Sequence, residues 1–405
     1  MVAVYKLLKA GAVYKINALA GLFLCMLFFV AVAFVPPTAI PQPGFSNQRI
    51  PTYTFIDKTG KTVFKVALDK FATFGSFSEG LCSFVVVTPE GSKSGFIDRT
   101  GKQVIPPQFA LAQDFHNGRA LVQVFSTDKP RKGLFGFIDK SGKFVVPAKY
   151  YVADSFSEGL AYVQAAERGA GAFIDPDGKQ VISVQHGGGG RFSEGLAGVN
   201  GGYIDKTGKL AIRSNRGGRS QFSCGLACRE INALSHQYYG VTKNGAVYPE
   251  NRLYGYIDRN GRFSIMPRFI KSYDFSEDRA VVELPLSLPP DLSVTGSHGV
   301  YGFIDTAGEV VTVLRTRTEP HKFSNGLAAV QFSGSRPATA KGEWGYIGKD
   351  GRVVISPQFT QPADFAEGLA NVEGGYIDTQ GNMRIPTDST IHAPFSEGLA
   401  SVVFY

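Results

Sequence analysis

Gly95-Phe96-Ile97-Asp98-Arg99-Thr100-Gly101-Lys102-Gln103-Val104-Ile105 sets two short apolar runs on either side of Asp98-Arg99-Thr100-Gly101. An aspartate at the first position of a turn can bond its own backbone. A glycine at the fourth supplies the positive φ that closes a type I turn with a bulge. The stretch therefore predicts a β-hairpin, with Asp98 and Gly101 as its structural residues. Asp139 and Gly142, Asp205 and Gly208, and Asp258 and Gly261 hold the same places in other stretches.

The motif, an aromatic followed by Ile-Asp-x-x-Gly, recurs nine times. Its Ile residues are 56, 97, 138, 174, 204, 257, 304, 347 and 377, and Gly348 stands in for the aspartate in the eighth copy. Nine copies of a second motif alternate with it: Phe-Ser-Glu-Gly-Leu-Ala-x-Val, clearest from Phe156, Phe192 and Phe395. Asn117, Cys224 and Asn325 replace its acid, and Asp278 replaces its glycine. Several copies end the second hairpin strand with proline (Pro106, Pro147, Pro267, Pro357, Pro386), which stops strand pairing. The Leu-Ala-x-Val run supplies a third strand, with Leu160 and Tyr162 on one face and Ala161 and Val163 on the other.

At these residues the chain resembles the WG β-repeat family of bacterial proteins. Trp344-Gly345-Tyr346-Ile347 carries the naming pair. Phe135-Gly136, Tyr254-Gly255 and Tyr301-Gly302 keep the glycine without the tryptophan, while Thr54 and Ala172 keep neither. The resemblance covers residues 53–405. It implies an all-β repeat array, often on exported or surface proteins, with no catalytic chemistry in its motifs.

One such unit cannot bury its aromatic face alone, so neighbours must stack. Successive Ile-Asp motifs lie 41, 41, 36, 30, 53, 47, 43 and 30 residues apart. Thirty residues is tight for the four strands of a propeller blade, and nine blades exceed the usual range. The expectation is thus an open, superhelical, solenoid-like stack of three-stranded hairpin units. A closed β-propeller is the alternative.

Ahead of the repeats, residues 16–35 (INALAGLFLCMLFFVAVAFV) form an uncharged run of twenty, enough helix to cross a bilayer core. Lys6, Lys9 and Lys15 precede it, so residues 1–15 are expected in the cytoplasm and the body of the protein on the other side. Either the segment stays as an anchoring hydrophobic helix, or cleavage after Ala33 in Ala31-Val32-Ala33 frees an exported, periplasmic protein. Residues 36–52 carry five prolines before Thr52 and read as an extended spacer.

The net charge of +8 falls to +5 beyond those three lysines, too mild for nucleic-acid binding. Cys82, Cys224 and Cys228 make no disulfide framework and read as packing residues. The repeated aspartates suggest a calcium ladder, but most turns follow the acid with Lys or Arg, which repels a cation. The six histidines are scattered, and no nucleophile elbow, zinc helix motif or phosphate loop is present. Catalytic residues, metal ligands and cofactors are expected to be none.

What remains is a row of cations. Lys61, Lys102, Lys143, Lys179, Lys209, Arg262 and Arg352 follow the turn glycine in seven copies. Lys58, Arg99, Lys140, Lys206, Arg259 and Lys349 hold the second turn position in six. Stacked in register, they line one rim, a candidate surface for a protein or an anionic envelope polymer. The functional expectation is a non-enzymatic binding scaffold, membrane-tethered through 16–35 or exported. An envelope polysaccharide binder is the alternative, and an enzyme housed in the inserts (Ala165–Ala170, Ile231–Arg252, Leu284–Val300, Ser333–Glu343) a distant third.

Overall fold

The computed structural model describes residues 52–404 except 67, 69–71, 89, 90, 126–132, 186, 187, 215–217, 219, 233–251, 286–298, 317, 333–343 and 390. The hydrophobic segment 16–35, nearly all of the spacer and most of three inserts lie outside the described residues. No helix among those described is long and apolar enough to cross a membrane.

The described chain forms nine antiparallel sheets of three or four strands. We number them from the sheet that holds Ala72–Ser78, Leu81–Thr88, Gly91–Asp98 and Gln103–Phe109 in spatial order. Sheets 2 to 8 begin at Leu111, Val152, Leu196, Ala227, Lys271, Leu327 and Leu369. Each sheet starts around a Phe-Ser-Glu-Gly turn and ends with the Ile-Asp-x-x-Gly hairpin that follows it. Leu81 faces Asp98 and Cys82 faces Ile97. The sequence unit read from Ile-Asp onward therefore straddles two sheets, since the Leu-Ala-x-Val strand pairs with the next hairpin along the chain.

Sheet 9 joins the two ends of the repeat array. Its spatial order is Ile391–His392, Leu399–Phe404, Thr52–Asp57 and Thr62–Val66. Thr52 faces Phe404 and Asp57 faces Leu399 across six paired residues. An open stack cannot share a sheet between its first and last segments, so the open array expected from the repeat spacing is replaced by a closed ring. The spacing misled because the first hairpin supplies two strands to the last sheet, and because four sheets need only three strands.

Both faces of each sheet are covered by neighbours, which is why Leu160, Ala161, Tyr162 and Val163 are all buried despite their alternation. One aromatic pair recurs at every junction, the Phe or Tyr before Ile-Asp against the Phe of the next Phe-Ser-Glu-Gly. Phe96–Phe115, Phe137–Phe156, Phe173–Phe192 and Tyr256–Phe275 all sit 4.9 Å apart, mostly edge to face. Phe55–Phe77, at 5.8 Å, is the pair where the ring closes from sheet 9 to sheet 1.

Candidate functional site

The two turn types sit at the same end of their sheets. In an antiparallel sheet the first-to-second and third-to-fourth connections return to one end, and the second-to-third connection lies at the other. The described strand ends that flank the inserts, such as Asn232 and Arg252, therefore lie at the opposite end from both motifs.

In the hairpin turn, Asp98 Oδ1 accepts from Thr100 N, Thr100 Oγ1 and Lys102 N at 2.8, 2.6 and 3.1 Å. Gly101 N donates to Asp98 O at 3.0 Å, with φ 83° at the glycine. Asp139 and Asp205 repeat the set with Ser141 and Thr207, and Asp258 accepts from Asn260 N and Arg262 N. The hydroxyl bonds from Thr or Ser hold Asp98, Asp139 and Asp205 below the usual carboxylate range. At Asp258 the bond from Arg262 N has the leading part. Gly142 and Gly208 have φ 85° and 83°, Gly261 78°.

The Phe-Ser-Glu-Gly turn is tighter. Ser157 and Leu160 exchange both backbone bonds, at 2.9 and 3.1 Å, around Glu158 (φ 52°) and Gly159 (φ 88°). Positive φ at both central residues makes a type I′ hairpin. From there each side chain reaches into the next sheet. Ser78 Oγ donates to Phe115 O at 2.6 Å, Ser157 to Phe192 O, Ser193 to Phe222 O, and Ser396 to Phe77 O across the closure. Glu79 accepts from Gly118 N at 3.0 Å, Glu158 from Gly195 N, Glu194 from Gly225 N, and Glu397 from Gly80 N. Among the described residues the equivalent bond is missing at one junction, from sheet 5 to sheet 6, whose turns carry Cys224 in place of the acid and Asp278 in place of the glycine.

The same glutamates take up the cations at the second hairpin position of the next sheet. Lys140 pairs with Glu79 (3.4 Å), Lys206 with Glu158 (3.1 Å), Lys349 with Glu277 (3.6 Å), Lys58 with Glu367 (2.9 Å) and Arg99 with Glu397 (3.2 Å). Arg259 bonds the backbone carbonyl of Glu194. The three sheets whose turn lacks an acid, at Asn117, Cys224 and Asn325, are each followed by a sheet with a neutral residue at that hairpin position, Pro176, Thr306 and Thr379. All nine junctions match. That matching was present in the sequence, as two columns of residues that change together one repeat out of step. It goes unseen unless the pairing of one sheet with the next is known.

The expected rim of thirteen cations is thereby divided. Six are turned to the preceding sheet's turn. The seven after the turn glycine, Lys61, Lys102, Lys143, Lys179, Lys209, Arg262 and Arg352, are exposed and occupy equivalent places on their sheets. The first six fall on six successive sheets, 9 and 1 to 5, and Arg352 pairs with Asp350 in its own turn at 3.7 Å.

The thiols show no reactive setting. Burial pushes Cys82 and Cys228 up to about 12, and Cys224 lies part-buried in its turn. Among the described residues no group of three or more His, Cys, Asp or Glu is placed to hold a metal ion. His321 Nδ1 lies 2.7 Å from Asp364, with its ring 5.6 Å from that of Trp344.

The chain carries WG-containing repeats, matched at residues 95–124, 135–165, 254–284, 344–373 and 375–404. No curated protein is similar in sequence. Among solved structures, a eukaryotic initiation factor is similar over 87% of this chain and 98% of its own, at 9% identity and TM-score 0.44. The β-propeller domain of the trilobed protease from Pyrococcus furiosus is similar over 76% and 98%, at 8% and 0.38. The Dos1 propeller is similar over 71% and 89%, at 11% and 0.33. The closed ring itself rests on this chain's own hydrogen bonds.

Proposed function

We propose that this WG-repeat protein is a non-enzymatic binding scaffold, exported or tethered through residues 16–35, with its repeats held outside the cytoplasm. One observation carries the reading: the polar side chains that recur in the repeats are committed to building the ring. The turn aspartates close their own hairpins. The serines and glutamates bond the next sheet, and six of the cations answer those glutamates. The residues that repetition would otherwise offer as nucleophile, acid or metal ligand are already engaged.

The cations after the turn glycines are exposed and are not turned to the preceding sheet's glutamates, and an anionic envelope polymer is the partner they suit. Weak contacts of this kind add along a row through effective concentration. The test is retention of the full-length protein on immobilised polyphosphate. Reversing Lys61, Lys102 and Lys143 together to glutamate should abolish retention and leave the melting temperature within a few degrees of the parent. Raising salt should weaken the parent's retention, since exposed charges are screened beyond ~8 Å at physiological ionic strength. Retention indifferent to both changes would reject the polyanion as partner.

A further inference from the structure

We propose that the end of the ring opposite the motifs rests on a lipid bilayer, along the arc formed by sheets 9, 1, 2 and 3. Sixteen large apolar side chains are exposed among the described residues, and eleven of them lie on the outermost strands, at least one on every sheet. The other five are Val87, Leu111, Phe125, Val152 and Phe404, between 37% and 61% exposed. Val87 faces Ser92, Leu111 faces Gln123, Val152 faces Gln164 and Phe404 faces Thr52, all at strand ends away from the two turns. Phe125 follows Val124, which faces Leu134 at the same end. The four sheets that carry them are successive, since sheet 9 packs on sheet 1.

The far side of that end is polar. Beside the same point of the second strand, sheets 6, 7 and 8 place Lys271, Thr318 and Thr360, which pair with or bond to Glu283, Gln331 and Glu373. The apolar side chains are thus confined to one arc.

Where the chain enters the ring selects the occupant. Thr52, the first described residue, faces Phe404 within this arc. Upstream of it come residues 36–51 and then the uncharged run 16–35. Sixteen residues reach at most about 55 Å. The docking rests on the tether proposed above: with residues 16–35 in the membrane, the bilayer is held within that distance of Thr52. The motif end of the same strand, at Asp57, is farther by six residues, or about 20 Å. Apolar side chains flanked by cations suit a bilayer interface, where they enter the boundary between headgroups and acyl chains. Lys65, Lys93, Lys149 and Arg168 lie at this end of the four sheets, against Glu167 and Asp388 among the described residues. Docked this way, the ring keeps the cations after its turn glycines at the end away from the membrane, open to a polymer.

The test is fluorescence of the full-length protein in vesicles of phosphatidylcholine and phosphatidylglycerol in equal parts, with and without bromine high on the acyl chains. Trp344, the one tryptophan of the chain, is first changed to phenylalanine, the residue type that Phe135 supplies at that place in sheet 2. In that background Phe125→Trp should lose about half or more of its emission to brominated lipid, and Thr100→Trp, at the motif end, less than about a tenth. Adding Val87→Asp and Val152→Asp to Phe125→Trp should reduce its loss to that of Thr100→Trp, with the melting temperature unchanged. Flotation with the vesicles reports the tether separately. A protein that does not float overturns the tether and the docking with it. One that floats but is quenched equally at residues 125 and 100 overturns the docking alone.

Discussion

At the scale of the residue, the telling position is the glutamate of Phe-Ser-Glu-Gly. Among the described residues ten that are not glycine adopt positive φ, and all of them lie in this turn. The left-handed region costs an ordinary residue roughly 1–2 kcal/mol, and Asn or Gly less. Asn117 and Asn325 use the cheaper solution, and they still reach Gly159 N and Gly368 N with their side-chain oxygens. Glutamate is kept where a cation answers it, because only the acid can bond the glycine N–H and pair with that cation together. Glu158→Gly should therefore destabilise the protein by about 1–2 kcal/mol although it relieves the backbone, since hydrogen bonds to charged groups contribute about 1.5–3 kcal/mol. A chemical denaturation midpoint that rises for Glu158→Gly would contradict this. The buried thiols give a second check. Native protein treated with iodoacetamide near neutral pH should remain unlabelled at Cys82 and Cys228, whose pKa of about 12 leaves almost no thiolate, and should label there once unfolded. Rapid native labelling of either would place it outside the core.

At the scale of the element, the hairpin was legible in the sequence because its chemistry is local. Aspartate, glycine and flanking apolar runs specify the turn without reference to anything distant. Its position in the ring was not legible. A Cβ on Gly101 would lie 2.5 Å from the Phe64 ring of sheet 9, and one on Gly142 3.2 Å from Ile105 of sheet 1. The glycine thus serves both its own φ and the approach of a neighbouring sheet. Gly80, by contrast, has φ 86°, and a Cβ added there would meet nothing within 4 Å. Gly101→Val should cost roughly 2–4 kcal/mol, combining backbone strain with overpacking. Gly80→Ala should cost only about 1 kcal/mol, from φ alone. Thermal melts that rank the two the other way would mean that the hairpin turns do not pack between sheets. The second cation column turns to glutamates rather than forming a free rim, and the sequence hides this for the same reason: Lys140 and Glu79 are 61 residues apart, and only the ring brings them together.

At the scale of the whole molecule, carboxylates of two kinds set the response to acid. Hydroxyl bonds, the largest cause, hold Asp57, Asp98, Asp139 and Asp205 down. At Glu158 and Glu367 burial is the largest single influence and works upward, but the bonds from Lys206 and Gly195 N, or from Lys58 and Gly398 N, together with the lysine charge outweigh it. The stability these groups contribute is present above their unfolded values of ~4 and is lost as pH falls through the lower folded values. Burial pushes Asp114, Asp154 and Asp274 up, against bonds or charge from Ser83, Arg191 and Ser220. Their folded forms take up protons first, so stability grows as pH falls from neutral toward ~4. The melting temperature should thus rise slightly into mild acid and drop below about pH 4. A steady decline from neutrality would remove the buried aspartates from the account.

Nine repeats, their strands and their buried aromatics could be read from the sequence, because each repeat states them again. Closure could not, because it depends on Thr52–Asp57 and Leu399–Phe404 finding each other across the length of the array. Cysteines placed at Thr52 and Phe404, with Cys25 and Cys224 changed to serine, test that pairing directly. Cross-strand neighbours lie within the Cα range that a disulfide spans. The ring predicts that mild oxidation links them within a single chain, giving a monomeric, reductant-sensitive product with an undiminished melting temperature. Oxidation that yields no bond, or bonds only between separate chains, would contradict it.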